Sequence, residues 1–154
     1  MLKDGDAAAI QRAIAAYGVA IDARALELFE TCFTNDAWIE LGGERLTIPA
    51  YRDRCVQAFA LFPIMQHRFG LPFLSIEADD LVQARTPFVA YHARHDGDEG
   101  LVIGGEYEDR FTCGVDAGWR IAGRRGNARW HKGDISMLAE LKGDPPAGPS
   151  MFAG

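Results

Sequence analysis

Apolar residues recur at helical spacing from the start of the chain: Ile10, Ile14, Tyr17 and Ile21 share one face, while Gln11, Arg12 and Ala15 fall on others. The pattern predicts a first helix from Asp6, read as its N-cap, with Asp22 near its end. Residues 26–33 read as a second, short helix. Thr34, Asn35 and Asp36 suit a turn before a first strand at 37–41, which stops at Gly42 and Gly43. Pro49 fits the first turn of a third helix reaching about residue 61, with Tyr51, Cys55, Ala58 and Phe59 on its apolar face. After Pro63 the period changes, and residues 65–77, 81–95, 101–113 and 119–130 read as four long strands. Their connections are rich in Asp and Gly and suit hairpin turns, so the strands form an antiparallel meander. Helices followed by a run of strands predict an α+β domain, with three N-terminal helices on one face of a strongly curved sheet. The domain is read as residues 1–135 and the remainder, 136–154, as a C-terminal tail. Residues 142–154 are rich in Gly and Pro and are expected to be irregular, with Met151 and Phe152 available to cover a pocket mouth or a neighbouring subunit.

At 154 residues the chain is long enough to bury one core without disulfides or metal. A net charge of −6 argues against nucleic acid or an anionic membrane as partner. Arg120, Arg124, Arg125, Arg129 and Lys132 gather late in the chain, but acidic stretches at 77–80 and 96–99 offset them, so a salt-bridged sheet face is expected. The three cysteines form no CxxC and leave an odd count, which suits reduced thiols in a cytoplasm. The polar N-terminus does not read as a signal peptide, and no stretch approaches the ~20 apolar residues of a membrane span.

Chemistry concentrates in a few positions. A carboxylate beside an imidazole makes a base active near neutral pH, and Asp22 with His67 is the pair that could do this. By spacing alone, Asp22 reads first as a surface carboxylate or a salt-bridge partner of Arg24 or a strand arginine, and His67 as a satisfied core or surface histidine. Tyr17 is a packed aromatic by pattern, with a hydroxyl able to donate to a substrate oxygen. Phe62, Met65, Phe69, Phe88, Ile103 and Tyr107 would line an apolar pocket for a small hydrophobic molecule, with His92 as a polar group at its rim. His92 and His95 fall on opposite faces of a strand, so no shared metal site is expected. No nucleophile elbow, P-loop or dinucleotide fingerprint occurs, and no cofactor is implied.

Residues 20–23 (Ala-Ile-Asp-Ala), 33–37 (Phe-Thr-Asn-Asp-Ala), 104–109 (Gly-Gly-Glu-Tyr-Glu-Asp) and 118–122 (Gly-Trp-Arg-Ile-Ala) resemble the SnoaL-like branch of the nuclear-transport-factor-2-like superfamily. The resemblance extends over roughly residues 7–133. It implies a cone-shaped fold with a mostly antiparallel sheet. Within the branch, lyases like scytalone dehydratase, hexachlorocyclohexane dehydrochlorinase and bile-acid dehydratase carry a catalytic Asp at the end of the first helix and a catalytic His at the start of the second strand. Asp22 and His67 fall at those places, and Tyr17, five residues before Asp22, resembles the Tyr-x4-Asp pattern of the bile-acid group. The dehydrochlorinase-like lyases also place a basic residue near this position, so the resemblance makes Arg124 the candidate for a substrate-binding cation inside the cone, with an outward strand arginine as the alternative. The resemblance therefore implies a cofactor-independent lyase acting on a small hydrophobic cyclic or aromatic compound, with dehydration ahead of dehydrohalogenation or isomerisation. A non-catalytic binding cone and a structural subunit like the small subunit of ring-hydroxylating dioxygenases are the alternatives. Cones of this kind commonly assemble through the sheet, so a homodimer or homotrimer is expected.

Overall fold

The computed structural model describes residues 1–115 and 117–141. Helix α1, Asp6–Asp22, buries Ile10, Ala13, Ile14, Tyr17, Gly18, Ala20 and Ile21 along one stripe. Its N-cap is Gly5, at φ 92°, rather than Asp6. The Asp6 carboxylate instead turns back to accept the Lys3 backbone N–H at 2.6 Å, so it is not available to the helix amides. A 3-10 turn, Leu26–Leu28, runs into the short α2, Phe29–Cys32. Between them and α1, Arg24 takes a positive φ of 58°. Its guanidinium donates to the carbonyls of Phe59 and Pro63 at 3.3 and 3.1 Å, tying the end of α1 to the segment around residues 59–63.

Strand β1, Phe33–Leu41, begins where a turn was expected. Phe33 lies opposite Ile121 and Trp38 opposite Gly123, so the polar residues between them bulge out of the ladder instead of ending the strand. The Thr34 hydroxyl closes that bulge by donating to Asp36 at 2.9 Å. Gly42 and Gly43, both at positive φ, then turn the chain into β2, Glu44–Thr47, a strand the hydrophobic pattern did not suggest. Helix α3, Ile48–Leu61, starts with Thr47 as N-cap, whose hydroxyl accepts the Ala50 N–H at 3.3 Å, and with Pro49 in its first turn. It buries Ile48, Tyr51, Cys55 and Ala58.

The expected strand at 65–77 is two strands, β3 (Ile64–Phe69) and β4 (Phe73–Ala78), both antiparallel to β5, Leu81–Ala93. The break at Gly70, Leu71 and Pro72 follows from Pro72, which has no N–H to give a ladder. Strands β6, Leu101–Gly114, and β7, Gly118–Lys132, complete the sheet. Its order is β2-β1-β7-β6-β5-β3, with β4 also on β5, and β1 against β7 is its parallel pair. Register shifts at Gly104/Gly105 and Arg110/Phe111 bend β6 and β7, curling the sheet around the helices. The result is the expected α+β cone with a mixed, mostly antiparallel sheet.

Side chains alternate across this curl. His92, Ala90, Phe88 and Thr86 of β5 face inward and are buried, as are Leu101, Ile103, Tyr107, Asp109 and Phe111 of β6. Outward, Glu40 takes Arg45 and Arg125, and Glu106 takes Arg85 and Arg129, as expected of a salt-bridged face. Arg124 departs from that pattern and points into the core. After β7 a 3-10 helix, Ile135–Leu141, buries Met137. Met151 and Phe152, read from sequence as cover for the pocket, lie outside the described residues. Among the described residues no helix is long and apolar enough to cross a membrane.

Candidate active site

Asp22 ends α1 beside β3, the last strand on its side of the sheet. One carboxylate oxygen, Oδ1, lies 2.7 Å from His67 Nδ1, and the other, Oδ2, accepts the His67 backbone N–H at 2.7 Å. A carboxylate can only accept, so Nδ1 carries a proton, and the neutral form of the ring is the tautomer with its lone pair on Nε2. The His67 side chain is 6% exposed and that of Asp22 25%, a mostly desolvated pair with an outlet to solvent on the carboxylate side.

Three rings stand around His67. Tyr17 meets it edge-on at 6.1 Å between ring centres, His92 edge-on at 6.2 Å, and Phe69 at 6.3 Å. Gly18 makes room for Phe69: a Cβ there would come within 2.6 Å of the Phe69 ring. His92 sits against Phe62 at 5.2 Å and faces the Leu101 carbonyl with Nδ1 at 3.3 Å. Its proton is therefore on Nδ1, and Nε2 is left as an acceptor. Burial, and then the neighbouring His67, hold its pKa down at about 4, so it is neutral near pH 7.

Beyond Tyr17 the interior turns polar. The Tyr17 and Tyr51 hydroxyls lie 2.6 Å apart, with the two rings nearly parallel. Tyr107 packs edge-on against Tyr17 at 5.7 Å and stacks on Phe88 at 4.2 Å. The Arg124 guanidinium carbon lies 4.3 Å from the Tyr17 ring centre and 4.2 Å from that of Tyr107. Asp109 clamps the same guanidinium through Nε and Nη2, both at 2.7 Å, and neither side chain is exposed. The third nitrogen, Nη1, has no hydrogen-bond partner among the described residues, leaving the ring faces to receive its charge. Burial drives the Tyr17, Tyr51 and Tyr107 hydroxyls upward in pKa, and Arg124 offsets part of that rise for Tyr17 and Tyr107. All three are neutral donors in the ordinary pH range. Cys32 and Cys55, pushed up to about 12 by burial, are inert packing thiols there.

The fold thus brings Asp22, His67, Tyr17, Phe62, Phe69, Phe88, His92, Tyr107 and Arg124 into one connected cluster. Met65 faces inward beside His92 in the β3–β5 register, and Ile103 is buried on the inward face of β6. Two members had no place in the sequence reading. In the sequence Tyr51 reads as helix packing, and nothing local shows that its hydroxyl meets one from another helix. Asp109 has no motif of its own, although it shares parity with Leu101, Ile103, Tyr107 and Phe111. A carboxylate in a buried row requires a cation, and Arg124 answers it across the β6–β7 ladder. A surface cleft of about 420 Å³ opens elsewhere, over Phe29, Phe33, Ile48 and Pro49 at the N-terminal end of α3. It contains neither Asp22 nor His67. Among the described residues no cluster of His, Cys, Asp and Glu has the makings of a metal site.

No curated protein matches the chain in sequence. Solved structures share its fold. A protein from Kribbella flavida superposes with a TM-score of 0.76 at 18% identity, covering 88% of this chain and 97% of its own. A provisionally named scytalone dehydratase from Novosphingobium aromaticivorans gives 0.72 at 18% identity, with 80% and 84% covered. A hexachlorocyclohexane dehydrochlorinase from Novosphingobium barchaimii gives 0.71 at 16% identity, with 81% and 87% covered. The family model described as a SnoaL-like domain matches residues 5–125, and the chain belongs to that family.

Proposed function

We propose that the protein is a cofactor-independent lyase, a dehydratase, acting on a small hydrophobic cyclic or aromatic compound. The observation that carries this reading is the double contact of Asp22 with the ring and the backbone of His67. His67 Nε2 removes a proton from a carbon acidified by a neighbouring carbonyl. Asp22 holds the tautomer and stabilises the imidazolium that forms. Phe69, Phe88 and Phe62 supply apolar walls, which favour a flat or cyclic substrate and keep water from the charged intermediate. Tyr17 and the neutral His92 are the polar groups placed to meet substrate oxygens. The names of two structures of the same fold, a dehydratase and a dehydrochlorinase, agree with elimination chemistry started by a base.

The test is an elimination screen over cyclic β-hydroxy ketones with wild type, His67→Ala and Asp22→Asn. Loss of the base is expected to slow turnover by ~10²- to 10⁴-fold with substrate binding retained. Full turnover by His67→Ala would overturn the proposal. Binding without turnover by the wild type would make the cone a carrier instead of an enzyme.

A further inference from the structure

Tyr17 and Tyr51 form a buried hydroxyl pair with one hydrogen bond between them at 2.6 Å. In such a pair one hydroxyl donates, and the one that accepts has its own proton free for a third group. Their surroundings break the symmetry. Arg124 lies over the Tyr17 ring at 4.3 Å, whereas no cation lies over the ring of Tyr51 among the described residues. Negative charge is therefore cheaper on the Tyr17 oxygen, and Tyr51 is the donor of the pair. Tyr17 is also the member whose ring meets His67.

We infer, building on the lyase reading, that Tyr17 is the acid that protonates the departing oxygen, and that Tyr51 is a positioning residue whose O–H holds the phenolate left behind. The step balances. His67 Nε2 takes the proton from carbon, and that C–H electron pair becomes the new C=C bond. The C–O bond of the neighbouring carbon breaks with its electrons on oxygen. The Tyr17 proton passes to that oxygen, and water leaves. Imidazolium and phenolate remain, and transfer of one proton from the first to the second, through the product water, restores both. Arg124 acts here through the Tyr17 ring: with two nitrogens clamped by Asp109, it serves the acid and not the leaving group. The consequence is a preference for leaving groups that need a proton.

Two measurements on the full chain test this. The first needs no substrate. With ¹³C-labelled tyrosine, the exchange-protected hydroxyl proton of the pair is correlated with the ring carbons of its owner. Ownership by Tyr51 is expected; ownership by Tyr17, or no protected proton on either, overturns the inference. The second compares 3-hydroxycyclohexanone with 3-acetoxycyclohexanone in wild type and Tyr51→Phe. Loss of water should slow by ~10- to 100-fold in the variant, the worth of one hydrogen bond to a charged oxygen. Loss of acetate, which leaves as a stable anion, should change by less than about threefold. Equal slowing of both would give Tyr51 a merely structural role and refute its part. If the wild type turns over neither ketone while the proton belongs to Tyr51, it is the lyase reading that fails, and the acid assignment with it.

Discussion

The Asp109–Arg124 pair makes the sharpest demand on stability. Both side chains are fully buried and joined by two hydrogen bonds of 2.7 Å, and two tyrosine rings flank the guanidinium. Asp109→Asn keeps the shape but removes the charge and one acceptor. Arg124, whose pKa is driven up chiefly by Asp109 against the pull of burial, stays protonated and is stranded. Breaking a buried pair from one side costs about 3–5 kcal/mol. Set against a typical total of about 5–15 kcal/mol, that loss dominates, and at roughly 2–4 °C per kcal/mol it lowers the melting temperature by about 6–20 °C. Urea unfolding followed by circular dichroism gives the free energy directly. The double variant Asp109→Leu with Arg124→Met, which replaces the pair by apolar groups of similar size, is expected to recover most of the loss. Salt should matter little, because a pair without solvent contact is screened far less than Arg85–Glu106 on the outer face. An Asp109→Asn protein within about 1 kcal/mol of wild type, or a double variant as weak as the two single losses added together, would refute the reasoning.

Two other outcomes follow from the same interior. His92 has a folded pKa of about 4 against about 6.5 unfolded, so the unfolded chain binds the extra proton first as pH falls. Stability should therefore decline from pH 6.5 downward and level off below about 4, with a loss of about 2–3 kcal/mol by pH 4.5. Chemical denaturation of His92→Gln across that range should lack this component. Gly18→Ala gains up to about 1 kcal/mol of helix propensity but drives a methyl into Phe69. Stability should stay within about 1 kcal/mol of wild type, while turnover falls as Phe69 shifts against His67; unchanged turnover would show that the ring has room to spare.

Much of this architecture can be read along the chain. The spacing of Ile10, Ile14, Tyr17 and Ile21 marks the buried stripe of α1, and strand parity places Met65, His67 and Phe69 on one face. Local pattern fails where alternation runs through a break, as at Gly70 to Pro72. It fails again where polar residues stay within a strand by bulging, as at Thr34 to Asp36. It says nothing of contacts made across the fold. Asp22 and His67 stand 45 residues apart, and Tyr17 and Tyr51 stand 34 apart. The first pair could be expected because family resemblance assigns positions to both members. The second could not, because a tyrosine on an apolar helix face looks the same whether or not its hydroxyl has a partner.

The two oxygens of Asp22 do different work: one sets the His67 ring and the other fastens the backbone of β3 to the end of α1. The spacing of β3 from α1 and the orientation of the imidazole therefore hang on a single side chain. Moving β3 outward to admit a bulkier compound would stretch both contacts at once, turning the imidazole as it opened the wall. Under the proposed lyase function, substrate choice changes more easily at Phe69, Phe88 or His92, whose replacement leaves that joint alone. Those positions are where directed evolution toward larger rings should accumulate its first substitutions.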